Sequence, residues 1–207
     1  MNILFIMLLS YLIGSIPFAY LVTRLTTGKD VRSVGSGNVG ATNAARAMGF
    51  KFGLLVGILD ILKGVLAVVI ARYLLATEAT DSLFLLASFL VIIGHNWSIF
   101  LKFSGGKGVA TSFGVIVTLY PFIFLFLLVI WVLFVLFTRY VSVASIISAL
   151  SVPILVYLYM GDINNLIFTL VLASLIIIRH SANIKRLFQG NENKMNWPPN
   201  LKKGDIR

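Results

Sequence analysis

Two short stretches of this chain carry the residue types that hold a phosphate. Val34–Arg46 reads VGSGNVGATNAAR and Ser104–Thr111 reads SGGKGVAT. In the first, Gly35, Gly37 and Gly40 let the backbone curl closely around a ligand. Ser36, Asn38, Thr42 and Asn43 supply donors, and Arg46 supplies a permanent, forked cation. A short helix starting near Ala41 would turn its free N–H groups toward an anion. The plainer reading is a polar loop with a snorkelling arginine. In the second, Gly105, Gly106, Lys107, Gly108 and Thr111 present glycine amides and one lysine at an expected helix start. The spacing is not that of a nucleotide P-loop, since Lys107 is followed by glycine and no strand precedes it. The plainer reading is a tight turn with a lysine on the cytoplasmic side.

Three further groups bear chemistry. His180, Asn183 and Arg186 fall on one face if the segment is helical, with Gly190 and Glu192 following; a basic helix lying on anionic headgroups is the alternative. His95-Asn96 closes an apolar run, and His95 suits a general base, a donor to substrate or a tie between helix ends. Asp60 and Lys63, spaced i,i+3 inside an apolar run, read as an ion pair bracing the helices or as a functional pair. Ser142, near Arg139, is uninformative alone.

The elements that must position these residues are membrane helices. Of 207 residues, 59% are hydrophobic and 12% charged, against about half and about a quarter in soluble domains. A net charge of +10 in a soluble chain would suggest nucleic acid. Here the cations lie between apolar runs, which points to topology, anionic headgroups and an anionic substrate and excludes nucleic acid as a partner. With no cysteine and two histidines, thiolate chemistry is excluded, and no metal site or cofactor is expected. The N-terminal run has no basic n-region or small-residue cleavage site, so a retained first helix is expected.

Apolar runs long enough to span lie at about Ile3–Thr23, Phe52–Ala71, Ser82–Leu101, Val141–Met160 and Leu166–Ile178. Gly108–Phe137 is about 30 residues, too long for one comfortable span. Splitting it at Tyr120-Pro121 leaves a short fourth span of about 13 residues, roughly 20 Å. That split puts the basic segments Arg24–Lys51 and Lys102–Lys107, Arg139 and the basic tail on one side, and Gly161–Asn165 on the other. The expectation is an all-α polytopic protein with seven transmembrane helices, N-terminus outside and C-terminus cytoplasmic. Residues 1–192 form one membrane domain and 193–207 a short polar, flexible tail. All the Gly-rich and basic motifs then share the cytoplasmic face.

Together, GSGNVGATN (35–43), LDILKG (59–64), GHN (94–96), GGKGVAT (105–111) and HSANIKRLFQGNE (180–192) resemble the bacterial PlsY family of acyl-phosphate:glycerol-3-phosphate acyltransferases. The resemblance runs from the first helix to about Glu192. The chain departs from the family pattern after Asn96, where Trp97-Ser98 stands in place of an expected proline. The resemblance implies a bacterial plasma (inner) membrane enzyme with seven spans and a cytoplasmic active site. It would move a fatty acyl group from acyl phosphate to the sn-1 hydroxyl of glycerol 3-phosphate, giving lysophosphatidic acid and phosphate, the first acylation of phospholipid synthesis. Neither acyl-CoA nor acyl carrier protein is the direct donor. In agreement, no His-x4-Asp dyad is present: Phe100 follows His95 and Lys185 follows His180 at the fifth position.

On that resemblance Lys107, Arg46, His180 and Ser36 are the catalytic candidates. Gly37, Asn38, Thr42, Asn43, His95, Asn96, Gly105, Gly106, Gly108, Thr111, Ser142, Asn183, Arg186 and Glu192 are candidates for substrate binding, and Asp60 and Lys63 for structure. The base is a histidine or a phosphate oxygen of the substrate, the second being preferred because holding both substrates in register supplies much of the rate. The partners implied are acyl phosphate, glycerol 3-phosphate and membrane lipids; docking of the soluble enzyme that makes acyl phosphate, and the oligomeric state, stay open. The rival class is a small-anion (phosphate) transporter, which also uses broken helices with cations at their ends. Against it stand the lack of a visible repeat and the gathering of polar motifs on one face.

Overall fold

The computed structural model describes residues 3–75 and 81–195. Among the described residues ten α-helices follow in order: α1 Ile3–Ser15, α2 Phe18–Thr27, α3 Ala41–Met48, α4 Phe50–Leu75, α5 Asp81–Asn96, α6 Val109–Leu119, α7 Pro121–Thr138, α8 Val141–Met160, α9 Ile163–Arg179 and α10 Ser181–Phe188. Single 3-10 turns stand at Val31–Ser33 and Ile99–Leu101. Among the described residues there is no strand, only one bridge between Ser98 and Ser104.

The helices are solvated inside out. Leu62, Leu66, Val69, Phe126, Leu133 and Phe137 are exposed, whereas Ser15, Ser88, Thr111, Ser112, Ser145 and Ser148 are buried. That is the pattern expected where lipid is the solvent: large apolar side chains lose nothing by facing it, and small residues let backbones approach. Several hydroxyls donate back along their own helix, Ser88 to the Phe84 carbonyl and Thr118 to that of Gly114, so they cost little inside the bundle. α7 has only Ile123 and Leu127 buried and lies at the periphery.

Glycines bring two helix pairs to backbone contact. A Cβ on Gly94 of α5 would stand 2.1 Å from the Tyr11 carbonyl oxygen of α1, and one on Gly14 would stand 2.0 Å from that of Val91. A Cβ on Gly114 of α6 would stand 2.1 Å from the Ile61 oxygen of α4, and one on Gly64 would stand 2.4 Å from that of Thr111. A central core of Val68, Val91, Ile92, Val115, Ile116 and Leu172 fills the remaining space.

Segments Ile3–Thr27, Phe50–Leu75, Pro121–Thr138 and Val141–Met160 are long and apolar enough to cross a membrane. Ile163–Arg179 with Ser181–Phe188, bent by 56°, would make a fifth, and α5 and α6 are shorter apolar helices. The sequence reading reaches seven by counting α5, α6 and α9 as spans of their own. Two of its boundaries need redrawing. The first apolar run is broken at Ile16-Pro17, because proline withholds an N–H and disfavours helix in the residue before it. The run at Ser82–Leu101 stops as a helix at Asn96 and ends in a 3-10 turn. The expected break at Tyr120-Pro121 is present, with Pro121 opening α7. Of the tail expected to be free from residue 193, Met195 N–H donates to the Arg139 carbonyl at 2.7 Å and Lys194 lies over the Tyr140 ring; residues 196–207 lie outside the described residues.

Gly114→Val should lower stability by about 1–3 kcal/mol, the usual cost of overpacking. Gly57→Ala, whose new methyl would meet only the Ala41 Cβ at 3.5 Å, should leave it unchanged or raise it. Thermal unfolding of both variants in detergent checks the difference, and equal midpoints would contradict the close α4–α6 crossing.

Candidate active site

The first Gly-rich loop is folded around its own asparagine. Asn43 is 1% exposed. Its Nδ2 donates to the Val31 and Val34 carbonyls, both at 2.9 Å, and its Oδ1 accepts from the Ser36 N–H at 2.9 Å. Both amide hydrogens are thereby used inside the loop. Gly35 (φ +58°) leaves room for Oδ1, which a Cβ would approach to 2.4 Å. Asn43 therefore shapes the loop rather than offering donors to a ligand. The result is an exposed Ser36 and, one helical turn into α3, an exposed Arg46 whose stem passes beside Gly35.

The second loop sits beneath the first. Gly106 N–H donates to the His95 carbonyl at 3.1 Å. A Cβ on Gly106 would stand 2.1 Å from His95 Nε2 and 2.5 Å from the Val39 carbonyl oxygen. Gly105 is pressed equally closely on the His95 carbonyl, and Gly108 (φ +83°) on the Asn96 side chain. These glycines are required by backbone approach, which leaves Lys107 projecting from the turn just before α6 begins.

Lys107 meets the third motif. Its Nζ donates to Asn183 Oδ1. Asn183 Nδ2 donates to Glu192 Oε1 at 2.6 Å, Ser142 Oγ donates to the same oxygen at 2.9 Å, and Arg186 Nε donates to Glu192 Oε2 at 2.8 Å. One carboxylate thus joins α8, α10 and, through Asn183, the Lys107 loop. Its burial pushes its pKa up, but the hydrogen bonds from Asn183, Arg186 and Ser142 outweigh this and hold it below the usual glutamate value. Arg46 is within electrostatic reach of Lys107, Arg186 and Glu192. His180 is 3% exposed and its Nδ1 lies 2.8 Å from the Ile176 carbonyl. A carbonyl only accepts, so Nδ1 carries the hydrogen and Nε2 keeps a lone pair in the neutral ring.

The structure does not bring every candidate to this face. His95 Nδ1 is 3.5 Å from Asp60 Oδ1, and Lys63 Nζ is 2.8 Å from the same oxygen. Lys63 also donates at 2.9 Å to the Ile16 carbonyl in the break between α1 and α2, which accepts from the Phe18 N–H as well, at 3.2 Å. The Asp60–Lys63 pair thus ties α4 to the α1–α2 break. His95, enclosed between Asp60 and Gly106, belongs to this buried cluster and not to the open cation cluster. Asn96 is fully buried against Gly108, and among the described residues its side-chain amide and the buried Thr111 hydroxyl have no hydrogen-bond partner. These three support the loop from below. Gly37 and Asn38 on the first loop and Thr42 in the first turn of α3 are partly exposed.

Arg179 is the residue that sequence reasoning missed. It donates to the carbonyls of Gly106 (2.8 and 3.2 Å), Gly105 (3.4 Å) and Asn96 (3.4 Å) and stacks 5.2 Å from the Trp97 ring. Its only signal in the sequence is its place beside His180 at the end of an apolar run. At the Trp97-Ser98 departure the chain is firmly held: Ser98 Oγ donates to the Ser15 carbonyl and Tyr11 to that of Trp97.

Lys107, Arg46 and Arg186 beside exposed and partly exposed hydroxyls and amides form a cationic cradle of the kind that suits an anion. Among the described residues no group of His, Cys, Asp and Glu fits a metal ion.

Comparison with known proteins bears on what the cradle holds. A family model described as glycerol-3-phosphate acyltransferase matches residues 4–190. A glycerol-3-phosphate acyltransferase of Thermoanaerobacter sp. (strain X514) is 42% identical over 195 residues, covering 94% of this chain and 96% of the relative. The fold is similar to crystal structures of PlsY (YgiH), an integral membrane glycerol 3-phosphate acyltransferase. The glycerol 3-phosphate form has TM-score 0.87 and 39% identity, covering 94% of this chain and 96% of that one. The lysophosphatidic acid form has TM-score 0.84 and 37% identity, covering 94% and 95%.

Burial lowers the pKa of Lys107 to about 8, Glu192 opposing the shift and the neighbouring arginines adding to it. The cationic form therefore predominates below that value and is lost above it. Sulfate, whose own charge is constant, should bind progressively more weakly as pH rises through about 8. Lys107→Gln should bind weakly with no such pH dependence. Calorimetric titration across this range checks both, and a flat profile in the unsubstituted chain would remove Lys107 from the cradle.

Proposed function

The chain belongs to the glycerol-3-phosphate acyltransferase family, and we propose that it transfers a fatty acyl group from acyl phosphate to the sn-1 hydroxyl of glycerol 3-phosphate. The products are 1-acylglycerol 3-phosphate and inorganic phosphate. The observation that carries this reading is the convergence of Arg46, Lys107 and Arg186, each from a different Gly-rich or basic motif, on one cradle. Two substrates that each bear a phosphate account for two cationic loops better than one substrate does.

In the reaction the hydroxyl oxygen of glycerol 3-phosphate attacks the acyl carbonyl carbon. The bond from that carbon to the phosphate oxygen breaks, and the hydroxyl proton passes to a phosphate oxygen. Lys107 and Arg46 stabilise charge on the leaving phosphate and on the tetrahedral oxygen, with Ser36 donating beside them. Asn183 and Arg186 hold glycerol 3-phosphate, Glu192 fixing the orientation of both. His180 Nε2 accepts from the glycerol backbone of that substrate. A substrate phosphate oxygen takes the proton; the enclosure of His95 and, among the described residues, the lack of an unpaired carboxylate in the cradle support this over a protein base. The acyl chain enters from the bilayer.

The cradle faces the cytoplasm of a bacterial plasma membrane, in a single membrane domain that ends near Glu192. Seven spans, with the N-terminus outside, agree with the charges: Lys51 and Lys102 lie on the cradle side of the bundle sequence and Asp162 on the other. Docking of the soluble enzyme that forms acyl phosphate would suit this orientation. The rival anion-transport reading is disfavoured by family membership.

Purified protein in detergent, given acyl phosphate and glycerol 3-phosphate, should release equal amounts of phosphate and lysophosphatidic acid without a vesicle. Lys107→Ala and Arg46→Ala should each lose roughly tenfold to a hundredfold in kcat/KM, as expected for charge-assisted contacts of about 1.5–3 kcal/mol. His95→Gln, if stable, should retain turnover. A fully active Lys107→Ala would sink the assignment. The cysteine-free sequence allows a topology test: an impermeant thiol reagent should label Asn164→Cys from outside intact cells and Lys51→Cys only after lysis.

A further inference from the structure

We propose that Arg179 is a positioning residue: it turns the carbonyls of the Gly105–Lys107 turn toward itself and so aims the Lys107 amide at the bound phosphate. The inference rests on the acyl-transfer reading for the identity of that phosphate, and on the geometry alone for the clamp. In a trans peptide the C=O and N–H point in opposite directions. The Gly106 carbonyl is held by Arg179 Nη2 at 2.8 Å and Nε at 3.2 Å, so the Lys107 N–H of the same peptide points away from Arg179. That N–H has no partner among the described residues. The preceding peptide has the same polarity: its Gly105 carbonyl faces Arg179 at 3.4 Å and its Gly106 N–H donates the other way, to His95, at 3.1 Å.

The clamp also joins two motifs that lie far apart in sequence. Arg179 is the last residue of α9 and directly precedes His180, while Asn183 on α10 receives Lys107. Holding the turn to the end of α9 therefore registers Lys107 against Asn183. The guanidinium suits the task because its planar fork serves several carbonyls while its face lies 5.2 Å from the Trp97 ring. A lysine ammonium on the same stem carries the charge but cannot stack and bridge carbonyls at once. Arg179 is placed here as a group that acts through the turn, with no contact of its own to substrate required.

The test uses the full chain in detergent, comparing it with Arg179→Lys and Arg179→Gln by hydrogen exchange and by kinetics. Both variants should speed exchange of the Gly106 amide by about tenfold or more, with α4 and α8 amides unchanged. Both should lose about tenfold or more in kcat/KM for glycerol 3-phosphate, the lysine no better than the glutamine by more than about threefold. Unchanged exchange in both variants would overturn the clamp. Recovery of kcat/KM to within about threefold of the parent by Arg179→Lys would overturn it too, by showing that charge alone suffices. If Arg179→Gln exchanges throughout, Arg179→Lys decides the matter. A parent chain with no acyl transfer would refute the proposed function, while the exchange result would still judge the clamp.

Discussion

Backbone contact at glycine is the constraint on which the rest of this structure depends. Lipid gives helices no hydrophobic reason to associate, so close packing must hold them. Gly14 and Gly94 let α1 and α5 touch, and Gly64 and Gly114 do the same for α4 and α6. α5 and α6 flank the Gly105–Lys107 turn. Any bulk at these crossings would move the helices between which the turn is stretched, and with them the cation that it carries.

The second layer of organisation is polar and follows from the first. Helices brought together in an apolar medium are favoured when buried polar groups pair with one another, and the charged groups here do so. The Ile16 carbonyl, at the α1–α2 break, accepts from Lys63; Lys63 pairs with Asp60; His95 Nδ1 stands 3.5 Å from the same Asp60 oxygen. Above them Gly106 lies on the His95 ring and carbonyl. The ladder's side chains are buried, and it meets the Gly105–Lys107 turn through His95.

The cradle itself is a balance of like charges. Arg46, Arg186 and Arg179 each disfavour the charged form of Lys107, and Glu192 opposes them. Such a cluster is poorly neutralised by its own residues and is relieved by anions. Glu192 keeps it assembled by accepting from Ser142, Asn183 and Arg186 at once.

Local chemistry was legible in the sequence. The membrane class followed from composition. The start of α3 at Ala41, the start of α6 beside Gly108 and the break at Tyr120-Pro121 followed from glycine, proline and apolar run length. Arg46, Lys107, Asn183 and Arg186 stood out because cations and amides are rare amid apolar residues. What only the tertiary structure decided was which polar group meets which. Asn43 closes on its own loop, His95 belongs to Asp60, Glu192 is a shared acceptor, and Arg179 reaches carbonyls 73 residues earlier in the chain. Nothing local marks such partners, because a side chain in sequence shows what it can donate or accept but not whose unpaired group the packing of helices will set before it.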